Sequence, residues 1–146
     1  MAFSQFINYT INLIKKIIYK SYKGKAINRI ISKNHYNQFT NGSIALKTLV
    51  NYRLSGKQIE NLYITLNKFL KKSGTINITV FPNTPVSKKP NEIRMGKGKG
   101  AVNHWVCRIL PGTIICEIET NNLKKALKAI TYAKFRLPIK IKTLIL

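Results

Sequence analysis

Arg94-Met95-Gly96-Lys97-Gly98-Lys99-Gly100 sets three cations among three glycines at alternate positions. Glycine adopts positive φ freely and, lacking a β-carbon, lets a backbone come close to a bulky partner. Arg94, Lys97 and Lys99 then aim positive charge at whatever that backbone approaches. The chemistry available to such a loop is phosphate contact. A P-loop requires Ser or Thr directly after Gly-Lys, and none follows here. A dinucleotide fingerprint opens a helix after a strand, whereas these glycines lead into a strand. Glu92 is the only acid nearby that would hold magnesium for a nucleotide. The loop therefore suits a polyanion better than a mononucleotide; the plainer alternative is a mobile loop with solvated lysines.

Charge decides between them. Lys and Arg total 26 against 4 acids, a net charge of +22 and a pI near 10.3 in 146 residues. That exceeds what solubility needs, and it repels the folded chain from itself until a polyanion neutralises it. Nucleic acid is the first partner class to expect, an anionic membrane surface the second. With so few acids, most hydrolytic and metal-dependent chemistries lack their parts. His35 and His104 have no nucleophile or carboxylate dyad at useful spacing, and Cys107 and Cys116 form no CxxC pair. No catalytic residue, metal, cofactor or small-molecule substrate is expected.

Lysine outnumbers arginine 21 to 5, and Ile, Asn and Lys fill 58 of the 146 positions. Arginine binds phosphate at least as well, so chemistry does not demand this bias. It reads as the mark of an AT-rich coding genome, such as an organelle's.

The elements that must position the loop follow from periodicity. Phe3, Ile7, Ile11, Ile14 and Ile18 make an amphipathic, basic helix within residues 1–22, suited to a neighbouring protein or RNA, to import, or to a membrane surface. Residues 23–45 form a basic arm with little periodicity, carrying Lys23, Lys25 and Arg29. Tyr19, Tyr22 and Tyr36, interleaved with basic residues, are candidates for base stacking. Residues 46–146 form the folded domain. In it, Ser55 and Gln58 make a capping box for a helix with Ile59, Leu62, Leu66, Phe69 and Leu70 on one face. Lys71 and Lys72 sit in its last turn and Gly74 ends it. Residues 75–81 alternate as a half-buried strand ending at Pro82.

After the loop, a hairpin centred on Pro111-Gly112 would pair Cys107 with Cys116, Ile109 with Ile114 and Trp105 with Ile118 on one face. Val106 with Glu117 and His104 with Glu119 would share the other. Pro-Gly is a type II sequence, not a primed hairpin turn, so a longer loop in the same register is also possible. The cysteines would then be small buried hydrophobes or, alternatively, a disulfide or redox pair, and Trp105 a core residue. A second helix starts near Asn122 with Leu123, Leu127 and Ile130 inward, Pro138 interrupts, and residues 139–142 alternate as a last strand. The expected class is α+β: helices packed on an antiparallel sheet.

From about Asn41 onward the chain resembles the bacterial-type large-subunit ribosomal protein 16 family. Arg53-Leu54-Ser55-Gly56-Lys57-Gln58-Ile59-Glu60 and Thr79-Val80-Phe81-Pro82 with Pro85 carry the resemblance. So do Lys89-Pro90, Glu92, the loop at 94–100, Trp105-Val106, Pro111-Gly112 and Leu137-Pro138-Ile139-Lys140, in order and at close spacing. Lys23-Gly24-Lys25 and Arg29 resemble the family's basic arm more loosely.

The resemblance implies a hammerhead-like α+β fold with two packed helices and a basic N-terminal arm. It also implies a non-enzymatic constituent of the large ribosomal subunit. Such a protein binds large-subunit rRNA near the aminoacyl- and peptidyl-tRNA sites, touches tRNA and neighbouring large-subunit proteins, and supports assembly. The loop residues Arg94, Gly96, Lys97, Gly98, Lys99 and Gly100 would face RNA, with Arg53, Lys57, Lys88 and Lys89 as further phosphate contacts. The N-terminal extension and the Lys/Asn bias point to an organellar ribosome, mitochondrial in the first instance, with a plastid or an AT-rich bacterium as alternatives. The rival class is a membrane-surface protein anchored by residues 1–22.

Overall fold

A computed structural model describes residues 42–145 other than 72, 95 and 97. The expected N-terminal helix, the arm up to residue 41 with Lys23, Lys25 and Arg29, and Tyr19, Tyr22 and Tyr36 lie outside the described residues. So do Lys72 and Lys97.

The described fold opens with β1 (Ile44–Thr48) and β2 (Tyr52–Ser55). Ser55 also caps α1 (Gly56–Leu70). Its hydroxyl accepts the Gln58 N–H at 3.4 Å, and the Gln58 side-chain oxygen accepts the Ser55 N–H at 2.9 Å. This is the expected capping box. Ile59, Leu62, Leu66 and Leu70 bury one face of α1, but Phe69 is 37% exposed. The helix ends at Lys71, whose φ of 43° is left-handed and whose N–H bonds the Asn67 carbonyl at 3.0 Å. Gly74 is therefore not the helix stop. It opens β3 (Gly74–Ile78), where an added β-carbon would lie 2.6 Å from the Glu119 carbonyl oxygen and 2.8 Å from Thr120 Cβ. Along β3 the alternation is as expected, with Ile76 and Ile78 half-buried between exposed Thr75 and Asn77.

Then come β4 (Thr84–Ser87), β5 (Val102–Ile109), β6 (Ile114–Thr120), α2 (Leu123–Lys134) and β7 (Ile141–Ile145). The strands form two antiparallel sheets, ordered β3-β6-β1-β7 and β2-β5-β4. Both sheets and both helices contribute to one core cluster, so the α+β class holds with its strands divided between two sheets. β4 was unexpected because it contains Pro85. It lies at a sheet edge, where a missing N–H leaves no ladder bond broken.

The expected β5–β6 hairpin does not form. Leu110 to Thr113 make a turn with Leu110 O accepting Thr113 N–H at 3.1 Å and Gly112 at φ 89°. Those are marks of type II, whose twist splays flanking strands instead of pairing them. Thr48, fully buried, holds this corner. Its hydroxyl lies 2.7 Å from the Leu110 carbonyl and 3.2 Å from that of Thr113, and its own carbonyl accepts the Gly112 N–H at 2.7 Å. β5 then pairs with β2 and β4, and β6 with β1 and β3. Cys107 faces Leu54 while Cys116 faces Leu46 and Ile78; His104 faces Val86 while Glu119 faces Thr75. Trp105 is buried opposite Pro85.

Asn122 caps α2 by accepting the Lys125 N–H at 3.2 Å. The buried face of α2 is Ala126, Ala129, Ile130 and Ala133; Leu123 and Leu127 are exposed, contrary to expectation. Alanines let α2 lie close on α1, and the wider leucines flank that contact. On the outside of the helix pair, the Phe69 and Tyr132 rings stack at 4.5 Å and 4°. β7 begins two residues later than the expected last strand and pairs with β1.

Cys107 and Cys116 are free thiols in the core. Burial raises both pKa values. For Cys116, desolvation, reinforced by the nearby Glu117 charge, pushes it from 9.0 up to about 12. Such a thiol keeps its proton in the native state while the unfolded chain loses it, so stability should fall as pH rises from about 9 towards 12. Urea denaturation across that range should show a shallower decline for Cys116→Ala than for the wild type. At neutral pH, Thr48→Val should cost about 1–2 kcal/mol by deleting the corner hydroxyl, with an unchanged denaturant slope.

Candidate nucleic-acid interface

The Gly-Lys loop is the tip of the β4–β5 ribbon, spanning residues 88–101. Its base is closed by Ser87 opposite Val102 and by the Lys88 N–H bonding the Ala101 carbonyl at 3.0 Å. Just inside, the register steps from Val86↔His104 to Ser87↔Val102 and skips Asn103. A bulge of this kind bends and twists a ribbon, which re-aims what lies beyond it. In the loop, the Pro90 carbonyl accepts the Ile93 N–H at 3.3 Å, and the Lys89 ammonium donates to the Gly96 carbonyl. The far side of the loop is thereby folded back on its base. Residues 88–91 and 101–103 line a shallow open groove of about 430 Å³ there.

The three glycines serve two different needs. Gly96 at φ 101° and Gly98 at φ 85° use the left-handed region, and a β-carbon on either would meet nothing within 4 Å. Conformation, not space, requires glycine there. At Gly100 the constraint is contact: a β-carbon would sit 2.6 Å from the Lys88 carbonyl oxygen and 2.8 Å from the Lys89 nitrogen. Gly100 thus packs the two arms of the loop base together.

Lys88, Arg94 and Lys99 are exposed, while Lys89 is half-buried and turned onto Gly96. The structure brings these together with Gly96, Gly98 and Gly100. It sets Arg53 and Lys57 apart from them, with Arg53 in β2 and Lys57 exposed in the first turn of α1. Ser55, between those two, faces Val106, four positions along β5 from the loop base at Val102. Arg108 has no motif in the sequence to mark it. It is exposed directly opposite Arg53, and that juxtaposition becomes visible only once β2 is known to pair with β5. Among the described residues no three His, Cys, Asp or Glu side chains group as metal ligands. No described helix is long and apolar enough to cross a membrane.

The family model "Ribosomal protein L16p/L10e" matches residues 15–144. The large ribosomal subunit protein uL16 of Pelagibacter ubique is 48% identical over 101 residues, 69% of this chain and 74% of that protein. The uL16 protein of Rhodopseudomonas palustris is 41% identical over 121 residues, covering 83% of this chain and 86% of its own length. That of Psychrobacter cryohalolentis is 46% identical over 99 residues, 68% and 72% of the respective chains.

The different roles of the glycines are separable by amide hydrogen exchange. Gly100→Ala should open the loop base and speed exchange at Lys88 by about tenfold, a free-energy change of about 1.4 kcal/mol. Gly98→Ala should leave Lys88 protected, since its cost falls on the loop tip.

Proposed function

This chain belongs to the ribosomal protein L16p/L10e family, and on that premise we propose that it serves the large ribosomal subunit by binding rRNA beside the tRNA sites. It is a structural constituent of the subunit, not an enzyme. The loop of Arg94, Gly96, Lys97, Gly98, Lys99 and Gly100 faces the aminoacyl- and peptidyl-tRNA sites. Lys88 and Lys89 at its base, Arg53 and Lys57 at the β2–α1 junction, and Lys23, Lys25 and Arg29 in the arm hold rRNA phosphates. The remaining surface meets neighbouring large-subunit proteins. Arg94 is the geometry-sensitive member, because a planar guanidinium clasps a phosphate or stacks on a base, whereas lysines act as adaptable point charges.

The observation that carries this function is the loop itself: exposed cations on a backbone with two left-handed glycines, on a ribbon whose base is closed by hydrogen bonds. A net charge of +22 supplies the means to neutralise closely packed RNA. The lysine-rich composition supports an organellar, mitochondrial ribosome as its site of action, although the relatives compared are bacterial.

Sedimentation of a native extract through sucrose after a high-salt wash should carry the protein with the large subunit. Recovery only in light or membrane fractions would refute the ribosomal role and favour a membrane-surface protein anchored by residues 1–22. In a strain carrying Gly98→Val, the domain should still fold but translation should be impaired. Unimpaired translation would remove the loop from the mechanism.

A further inference from the structure

The outer face of the three-stranded sheet sets two arginines against each other. Arg53 of β2 and Arg108 of β5 are direct antiparallel partners. Side chains so placed leave the same face, with β-carbons about 5 Å apart. Their strand neighbours Leu54 and Cys107 are in the core, so the arginines occupy the opposite face, where Arg108 is exposed and Arg53 half-buried.

Like charges placed directly opposite across two strands destabilise the pairing, and β2, β4 and β5 contain no acidic residue to offset this. Among the described residues neither guanidinium meets a carboxylate. The Arg53 Nε is moreover buried without a hydrogen-bond partner. The buried Nε holds the Arg53 side chain at the spot where the repulsion falls, and a ligand on the terminal nitrogens relieves that repulsion: an oxyanion with two acceptor oxygens between two guanidinium forks.

We infer that Arg53 and Arg108 form a clasp for one backbone phosphate of RNA, through the terminal Nη groups of each. The clasp rests on the RNA-binding function proposed above and adds a second anchoring point to it. At about 3.4 Å per residue, Arg108 lies about 20 Å along β5 from the loop base at Val102. The ribbon thus meets RNA at its tip and again at its root, and the two contacts fix its direction as one could not. A carboxylate on a neighbouring protein is the competing occupant. The loop favours RNA, since it already commits the same ribbon to a polyanion.

The test measures binding of the full chain to a transcript of large-subunit rRNA over a series of salt concentrations. Arg53→Gln and Arg108→Gln should each weaken binding by about tenfold. The double variant should be weakened by little more than either alone, because both side chains hold one phosphate. Arg53→Lys and Arg108→Lys should rescue only in part, since a point charge does not replace the fork. Lys99→Ala should multiply with any of these losses, as a contact to a different phosphate. Unchanged affinity in the double variant, the result expected of a protein carboxylate, would overturn the clasp while leaving RNA binding intact. A loss of about a hundredfold, the product of the singles, would overturn it in favour of two separate contacts. Wild-type protein without salt-dependent affinity would overturn the RNA-binding function and the clasp together. In the free protein, Arg108→Gln should melt at or above the wild-type temperature. A lower value would remove the repulsion on which the clasp depends.

Discussion

Thr48 holds the corner at which the chain leaves one sheet for the other. Its side chain and backbone together contact Leu110, Gly112 and Thr113, and the residue is wholly buried at the end of β1. Because Gly112 takes positive φ in a type II turn, β5 and β6 diverge instead of folding back on each other. β6 then lies between β1 and β3, with Ile114 to Glu117 and Ile118 buried, as expected of a strand covered on both faces. β5, released from β6, lies between β2 and β4 and carries the loop outward at its start.

A second junction keeps the helices in register with the four-stranded sheet. The Thr120 hydroxyl donates to the Ser73 carbonyl at 2.8 Å and accepts the Asn122 N–H at 3.1 Å. It thereby ties the exit of α1 to the entry of α2. The same contact explains Gly74, which must bring β3 within reach of Glu119 and Thr120 without a side chain between them. The four-stranded sheet, with the helices, supplies most of the buried core, while the Gly-Lys loop extends from the three-stranded one.

Sorting apolar side chains inward and cations outward makes a strongly charged chain foldable. Apolar residues from both sheets and both helices converge on one cluster, while Arg53, Arg108, Lys88, Arg94 and Lys99 stand on the β2-β5-β4 sheet or its loop. Repulsion among the exposed ones, Lys88, Arg94, Lys99 and Arg108, is screened by water and salt.

Local features were legible in the sequence because their causes are local. The Ser55–Gln58 capping box, the period of Ile59, Leu62, Leu66 and Leu70, the alternation of Ile76 and Ile78, and the helix start near Asn122 all depend on residues a few positions apart. So does the backbone of the loop, where Gly96 and Gly98 take the positive φ that glycine adopts freely. What required the tertiary structure was anything decided between distant segments. Apolar sorting paired Cys107 with Cys116 because both are apolar positions of neighbouring strands, yet periodicity cannot tell which strand lies opposite. Leu123 and Leu127 looked inward by hydrophobicity, but close helix contact selected the alanines. Gly74 looked like a helix stop, and Arg108 like any surface cation, until the approach of β6 and the pairing with β2 gave each its neighbour. The sequence by itself determined the charge, the family motifs and the local elements, the last through interactions within a few residues. Only tertiary pairing decided which charges and which glycines stand together, because that rests on contacts between segments that no local pattern specifies.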